Sequence, residues 1–340
     1  MIGISPMVQK DLGYNPSFIH SITSKKQWKL KEILIITGYD YFLQKRDLKR
    51  VLQDYCQIIL IPRSTDAYFV GEQVGKLVEK HDNVHLVNNT IYDQQHQVIY
   101  EFVANRSKVL RITTVVDFCE KYLEKIYVPE SIDDANEVNI NLKYFSVPIR
   151  LVKKSFDWGV GSLLLLFTSP ICVWAYLIIK KQSPGPAFYR QKRVGIRDGE
   201  FECTKFRSMR VDAEKDGPQF SSKNDTRIFP FGKTMRATRI DELPQLFNIV
   251  KGEMSLIGPR PERRIFTDAF EEQIPHYAQR NVVKPGISGY AQVMYPYGAG
   301  VSDARHKLMY DLYYIKNWSL WLEFKVGIMT LWTIIAKKGL

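Results

Sequence analysis

GVGSLLLLFTSPICVWAYLII, residues 159–179, contains no charged side chain. As one helix it would reach about 31 Å, enough to cross a bilayer core. Ser169-Pro170 sits in its middle. Pro170 has no N–H to donate, and its ring collides with the carbonyl of Leu166. Ser169 can offer its hydroxyl to a carbonyl freed nearby. Each half then reaches roughly 15 Å, one leaflet rather than two. Both flanks are basic: Arg150, Lys153 and Lys154 before, Lys180 and Lys181 after. A span would export one of these clusters, against the cytoplasmic preference of positive residues. A simple span, a re-entrant hairpin and a buried soluble helix all remain open, and the break and the flanks favour the hairpin.

Upstream, the first 30 residues carry no long apolar run and no small-residue cleavage pattern, so no export signal is expected there. From Lys31 short apolar runs alternate with amphipathic segments. Strands are expected over 32–37, 57–62, 83–87, 98–103 and 109–114. Helices are expected over 43–55, 68–80 and from 115 to about 126. This is the pattern of βαβ units on a parallel sheet, an α/β Rossmann-like domain over residues 31–128. The turn after its first strand, GYDYFL, lacks GxGxxG. GEQVGKL (71–77) is one residue short of a phosphate loop and lacks its final Ser or Thr. Polar residues 129–147 read as a linker, and 148–182 as the membrane segment.

Residues 183–340 hold the chemistry. The chain has a net charge of +12, and between Lys180 and Arg264 there are 19 Lys+Arg against 11 Asp+Glu. That excess points to an anionic partner: nucleic acid, a phosphorylated small molecule or an anionic membrane surface. No nucleic-acid recognition motif or aromatic-basic platform is present, so no nucleic acid is expected. The four cysteines are scattered with no CxxC spacing, which argues against disulfides and a zinc site. Within TRIDELPQLFN (238–248), Asp241 and Glu242 are adjacent, with Arg239 two residues before and Pro244 two after. By spacing alone Asp241 is either a helix N-cap or a reacting carboxylate, and the readings are compatible because a helix N-terminus also favours phosphate. Gly/Pro-punctuated, arginine-bearing loops surround the pair: SPGPAFYRQKRVG (183–195), MSLIGPRPERR (254–264) and VKPGISGYAQV (283–293). The closing WSLWLEFKVGIMTLWTIIAKK (318–338) is either core or a helix in the membrane interface.

From about residue 148 onward these motifs, in order, resemble the bacterial monotopic polyprenyl-phosphate phosphoglycosyl transferases of exopolysaccharide biosynthesis. The resemblance is carried by Lys153, Lys154 and Asp157, Ser169-Pro170, SPGPAFYRQKRVG, KFRSM, DELPQLFNIVKGEMSLIGPRPE, VKPGISGYAQV and YDLYYIKNWSLWLE. Asn281 and Tyr290 depart from it, where His and Trp are more usual. It implies a mainly α, loop-rich catalytic domain with a re-entrant membrane helix-break-helix and C-terminal interfacial helices. It also implies transfer of a sugar-1-phosphate from a UDP-sugar to undecaprenyl phosphate at the cytoplasmic face of the inner membrane. In that reading Asp241 is the covalent nucleophile and Glu242 holds Mg²⁺, with Mn²⁺ an alternative and Asp241 a co-ligand. Arg236 and Arg260, the latter in Pro259-Arg260-Pro261, bind phosphate. Lys205 and Arg207 are expected to line the same anionic site, and Asp311 has a metal or a structural role. Gly185 and Pro186 are expected to shape a turn. The transferred sugar and the oligomeric state, a homo-oligomer included, stay open.

Overall fold

The structure, a computed structural model, describes residues 20–23, 32–39, 42–62, 83–89, 109–138, 146–213, 225–295 and 300–336, with isolated positions between. The chain forms two compact units, Met1–Ile140 and Asn141–Leu340.

The first unit is a five-stranded sheet. Its strands are β1 (His20–Thr23), β2 (Glu32–Tyr39), β3 (Gln57–Pro62), β4 (Asn83–Asn88) and β5 (Val109–Thr114), in the order β1-β3-β2-β4-β5. All pairings are parallel except that of β1 with β3. Helix α1 (Lys45–Val51) follows β2, and α2 (Val115–Leu123) follows β5. Successive residues of β2, Ile33 to Ile36, are all buried. A strand covered on both faces reads as a continuous apolar run, which is why the parallel sheet was legible. The four parallel strands lie in the order second, first, third, fourth, the flavodoxin-like form of the doubly wound sheet.

Three expectations are revised or fall outside. Residues 98–103 were expected as a strand, but Tyr100, Glu101 and Ala104 are helical. The apolar positions 98, 99, 102 and 103 recur at helical spacing, with Tyr100 and Glu101 outward. Within the first 30 residues, His20–Thr23 is a strand pairing with the edge of β3. Most of 68–80, including most of GEQVGKL, lies outside the described residues.

The second unit begins with α3 (Val147–Gln182). The expected break is a proline inside one continuous helix. The Ser169 hydroxyl donates to the Leu166 carbonyl, the group Pro170 leaves without an N–H, at 2.7 Å. Both ends of α3 pack on the globular body while its middle is exposed, Leu166 at 66% and Phe167 at 74%. A Cβ on Gly161 would lie 3.0 Å from the Ile249 side chain. Near the other end, Ala175 and Ile179 are fully buried with Phe206, Phe229 and Met235, and Trp174 stands edge-on to Phe231 at 5.3 Å.

After α3 come the hairpin β6 (Phe188–Val194) and β7 (Glu200–Phe206), then α4 (Pro230–Thr238) and α5 (Gln245–Val250). Strand β8 (Ser255–Ile257) pairs in parallel with β9 (Gly286–Ser288), and α6 (Arg264–Glu271) lies between them in sequence. Helices α7 (Tyr290–Met294), α8 (Val301–Lys316) and α9 (Leu320–Ile335) close the unit. One side of α9 buries Leu322, Glu323 and Val326; Trp321, Phe324, Leu331 and Trp332 are exposed.

A buried ionic cluster fastens the foot of α3. The Lys153 ammonium lies 2.8 Å from Glu323 and 3.5 Å from Asp157. Asp157 accepts the Leu256 N–H at 3.0 Å, and Glu323 also accepts from Tyr314 and Trp318. Removing one member of a buried pair strands the other charge. Glu323→Ala is therefore expected to destabilise the second unit by about 3–5 kcal/mol, read as a lowered midpoint of thermal unfolding in detergent. An unchanged midpoint would show that the cluster does not hold α3 down.

Candidate active site

Helix α4 starts at Pro230, where a missing N–H costs nothing, and ends at Arg239, whose φ of 59° is left-handed. That residue reverses the chain into a tight 3₁₀ turn, Ile240–Glu242, which runs on to Pro244 and α5. Asp241 therefore sits inside a turn, and Pro244 occupies the cap position of α5, so the N-cap reading of Asp241 does not hold. Both acids are buried, Asp241 at 9% exposure and Glu242 at 6%.

Three cations converge on Glu242 from three elements. Lys205, near the end of β7, places its ammonium 2.9 Å from Glu242 Oε1. Arg260, in the loop after β8, places Nη2 3.1 Å from the same oxygen. Arg239 lies 3.8 Å from Oε2. Burial alone would favour the protonated acid; Lys205, Arg260 and Arg239 together hold the Glu242 carboxyl well below the usual carboxylate range. Its neighbour behaves oppositely. Burial, then the charge of Glu242, pushes Asp241 up to about 6 against the pull of Lys205, Arg236 and Arg239. Asp241 Oδ1 is buried and accepts no hydrogen bond from the described residues. Adjacent carboxylates driven apart in this way mark a functional pair.

The supports of this geometry were not assigned roles in the sequence. Asn248 clips α5 to β7: it accepts the Thr204 N–H at 3.1 Å and donates to the Glu202 carbonyl at 2.7 Å. Arg280 holds the Arg260 carbonyl at 3.0 Å while pairing with Asp311 at 2.8 Å. Asp311 thus takes the structural of its two expected roles. Strands β8 and β9 approach so closely that a Cβ on Gly286 would lie 2.1 Å from the Gly258 nitrogen. Only glycine fits there, and this contact sets where the Pro259-Arg260-Pro261 loop leaves the sheet.

Lys205, Arg236 and Arg260 are thus brought to the acids, and Arg207 is not. Its guanidinium donates to the Ser183 and Pro184 carbonyls, each at 2.6 Å, and bars a side chain at Gly185. Strand alternation would put residues 205 and 207 on one face, but β7 ends at Phe206, so Arg207 turns away to hold the exit of α3. Asn281, one of the departures noted in the sequence, donates to Asp198 at 2.7 Å. The described residues hold no group of three or more His, Cys, Asp or Glu placed to hold a metal ion by themselves. Mg²⁺ takes one or two carboxylates and fills its shell with water and phosphate oxygens, so the two acids, one with an unused buried oxygen, fit that ion.

The family of bacterial sugar transferases matches residues 149–337, which span every residue of this site. A UDP-N-acetylgalactosamine-undecaprenyl-phosphate N-acetylgalactosaminephosphotransferase of Aeromonas hydrophila is 45% identical over 188 residues, covering 55% of this chain and 44% of that protein. A UDP-glucose:undecaprenyl-phosphate glucose-1-phosphate transferase of Xanthomonas campestris pv. campestris is 44% identical over 185 residues, 54% of this chain and 38% of that one. One of the same name from Caulobacter vibrioides is 37% identical over 194 residues, 56% of this chain and 72% of its own. The chain therefore spans less than half the length of the first two relatives.

Proposed function

The chain belongs to the bacterial sugar transferase family, and on that premise we propose that it transfers a sugar-1-phosphate from a UDP-sugar to undecaprenyl phosphate. The observation that carries the reading is the convergence of Lys205, Arg239 and Arg260 on Glu242, next to an Asp241 with an unused buried oxygen. A carboxylate and a diphosphate repel, and positive donors must cancel that charge before they can meet. Asp241 attacks the phosphorus bearing the sugar, the bond to the bridging oxygen breaks, and UMP leaves. The lipid phosphate then attacks the same phosphorus, the Asp241–phosphorus bond breaks, and the carboxylate is restored. Lys205 and the arginines bind the phosphate oxygens through both halves. Asp241 and Glu242 would hold Mg²⁺ or Mn²⁺, which when bound neutralises charge on the diphosphate.

We place the enzyme on the cytoplasmic face of the inner membrane, monotopic, with α3 entering and leaving one leaflet. The return of both ends of α3 to one body, its exposed apolar middle and the exposed tryptophans of α9 support this. Among the three relatives described above, the transferred sugar is N-acetylgalactosamine in one and glucose in two, so the sugar of this chain is the first thing to measure. Release of UMP from a panel of UDP-sugars, with undecaprenyl phosphate present, tests the function directly. No release from any of them would end this reading.

Two further outcomes are expected in that assay. Excess EDTA stops turnover and added Mg²⁺ restores it; full activity in EDTA would remove the metal from the site. Arg260→Lys keeps the charge but loses the planar fork that grips phosphate, and should lower turnover about 10–100-fold. Wild-type rates would leave Arg260 as a partner of Glu242 only.

A further inference from the structure

Lys154 and Lys284 are not used by the chemistry above. Lys154 is exposed at the foot of α3, one residue beyond the fully engaged Lys153. Lys284 is half-buried just before β9. Strand pairing puts it beside that foot: Ser255 N–H donates to the Pro285 carbonyl at 2.8 Å, and the next residue, Leu256, donates to Asp157. Its ammonium stands 3.5 Å from where a Cβ on Gly252 would be, and Gly252, at φ +82°, disfavours any side chain there. The charges acting on Lys284 are Asp157, Lys154 and Lys153. The single carboxylate among them is already taken by Lys153 and by the Leu256 N–H. Neither the Lys154 nor the Lys284 side chain makes a hydrogen bond or ion pair among the described residues. Burial and these like charges push the Lys284 ammonium below its usual range. Apolar surface flanks the two lysines on α3, with Leu151 and Trp158 each more than half exposed.

A lysine part-buried without a counter-ion is costly unless an anion completes it. We propose that Lys154 and Lys284 form a headgroup site at the foot of α3 that holds the phosphate of one anionic phospholipid, distinct from the phosphate-binding set around Glu242. A free phosphate ion offers the same oxygens. The flanking Leu151 and Trp158 favour a lipid, whose acyl chains would lie along them while its phosphate meets both ammonium groups. The site rests on the membrane-bound reading of α3 but not on the identity of the reaction.

The test uses the full chain in detergent, without nucleotide sugar, so that its failure leaves the transferase reading untouched. Retention of phosphatidylglycerol is measured by native mass spectrometry, against phosphatidylcholine and in competition with inorganic phosphate. One phosphatidylglycerol per chain is expected. Lys154→Gln with Lys284→Gln should weaken retention about thirtyfold, from ~1 kcal/mol for each lysine near a lipid surface. The charge-matched pair Lys181→Gln with Arg190→Gln should retain the lipid. A cooperative thermal unfolding transition of the Lys154/Lys284 variant in detergent, at the midpoint of the unaltered protein, shows that it has folded. Equal loss in both double variants would mean non-specific charge attraction and overturn the site. So would undiminished retention in the first, or displacement by inorganic phosphate as effective as by added lipid.

Discussion

Asp241→Asn is expected to lower UMP release by about a thousandfold or more, because an amide cannot form the acyl phosphate and the remaining groups can only bind. The same change should stabilise the protein at alkaline pH. The native Asp241 carboxyl is pushed up to about 6 by burial and by Glu242, whereas in the unfolded chain it titrates near 3.9. Between those values the native state holds a proton that the unfolded state has lost, so stability falls as pH rises through the window. Above about pH 6 the folded protein carries the whole cost of a desolvated carboxylate, and asparagine removes it. A gain on the order of 1–3 kcal/mol should appear at pH 8 and vanish below pH 4. Thermal unfolding at both pH values measures it. Loss of activity without any alkaline gain would mean that Asp241 is less desolvated than its burial implies. Turnover near the wild-type rate would remove it as nucleophile.

This opposition of stability and chemistry fits the way the site is built. Asp241 and Glu242 are adjacent in sequence, so their pairing was legible at once. The divergence of their environments was not. It depends on Lys205, Arg239 and Arg260 choosing Glu242, and on the absence, among the described residues, of any donor to Asp241 Oδ1. No local pattern records which of two neighbouring carboxylates three cations will face.

The same limit explains the other differences. Local periodicity found the strands of the first unit because a doubly covered strand is continuously apolar. It failed at Tyr100 and Glu101, where a short apolar run suits either a strand or one side of a helix. Lys153 and Glu323 are 170 positions apart, and their buried pair follows from where α3 and α9 meet. Arg207 belongs to the same phosphate-seeking residue type as Arg260. It differs because β7 ends one residue before it and leaves its guanidinium beside the Ser183 and Pro184 carbonyls. The long apolar helix was legible because its signal is composition, and the Ser169 hydroxyl bond to the Leu166 carbonyl because a proline acts on a carbonyl four residues away.

That break carries the second large effect. Ser169→Ala combined with Pro170→Ala is expected to restore the missing backbone hydrogen bond to the Leu166 carbonyl, which Ser169 now satisfies. A straight α3 of the uncharged 159–179 stretch would reach about 31 Å, the thickness of a bilayer core. Its two ends would then be driven apart. Gly161 packs on Ile249 while Trp174 packs on Phe231, and both contacts belong to one body, so a helix that crosses the bilayer must give up one set. Activity should fall with it, because in the proposed placement the acids reach a cytoplasmic nucleotide sugar only while that body stays whole at one face. Single cysteines at Val147 and Lys181, in a background cleared of Cys56, Cys119, Cys172 and Cys203, report the topology. In the otherwise unaltered protein, a membrane-impermeant reagent should reach neither site in intact cells and both in inverted vesicles. In the double variant one site should become reachable from outside, and turnover should be lost. Outside labelling of one site without the Ser169/Pro170 substitutions would establish a span, and the single-leaflet placement of α3 would have to be given up.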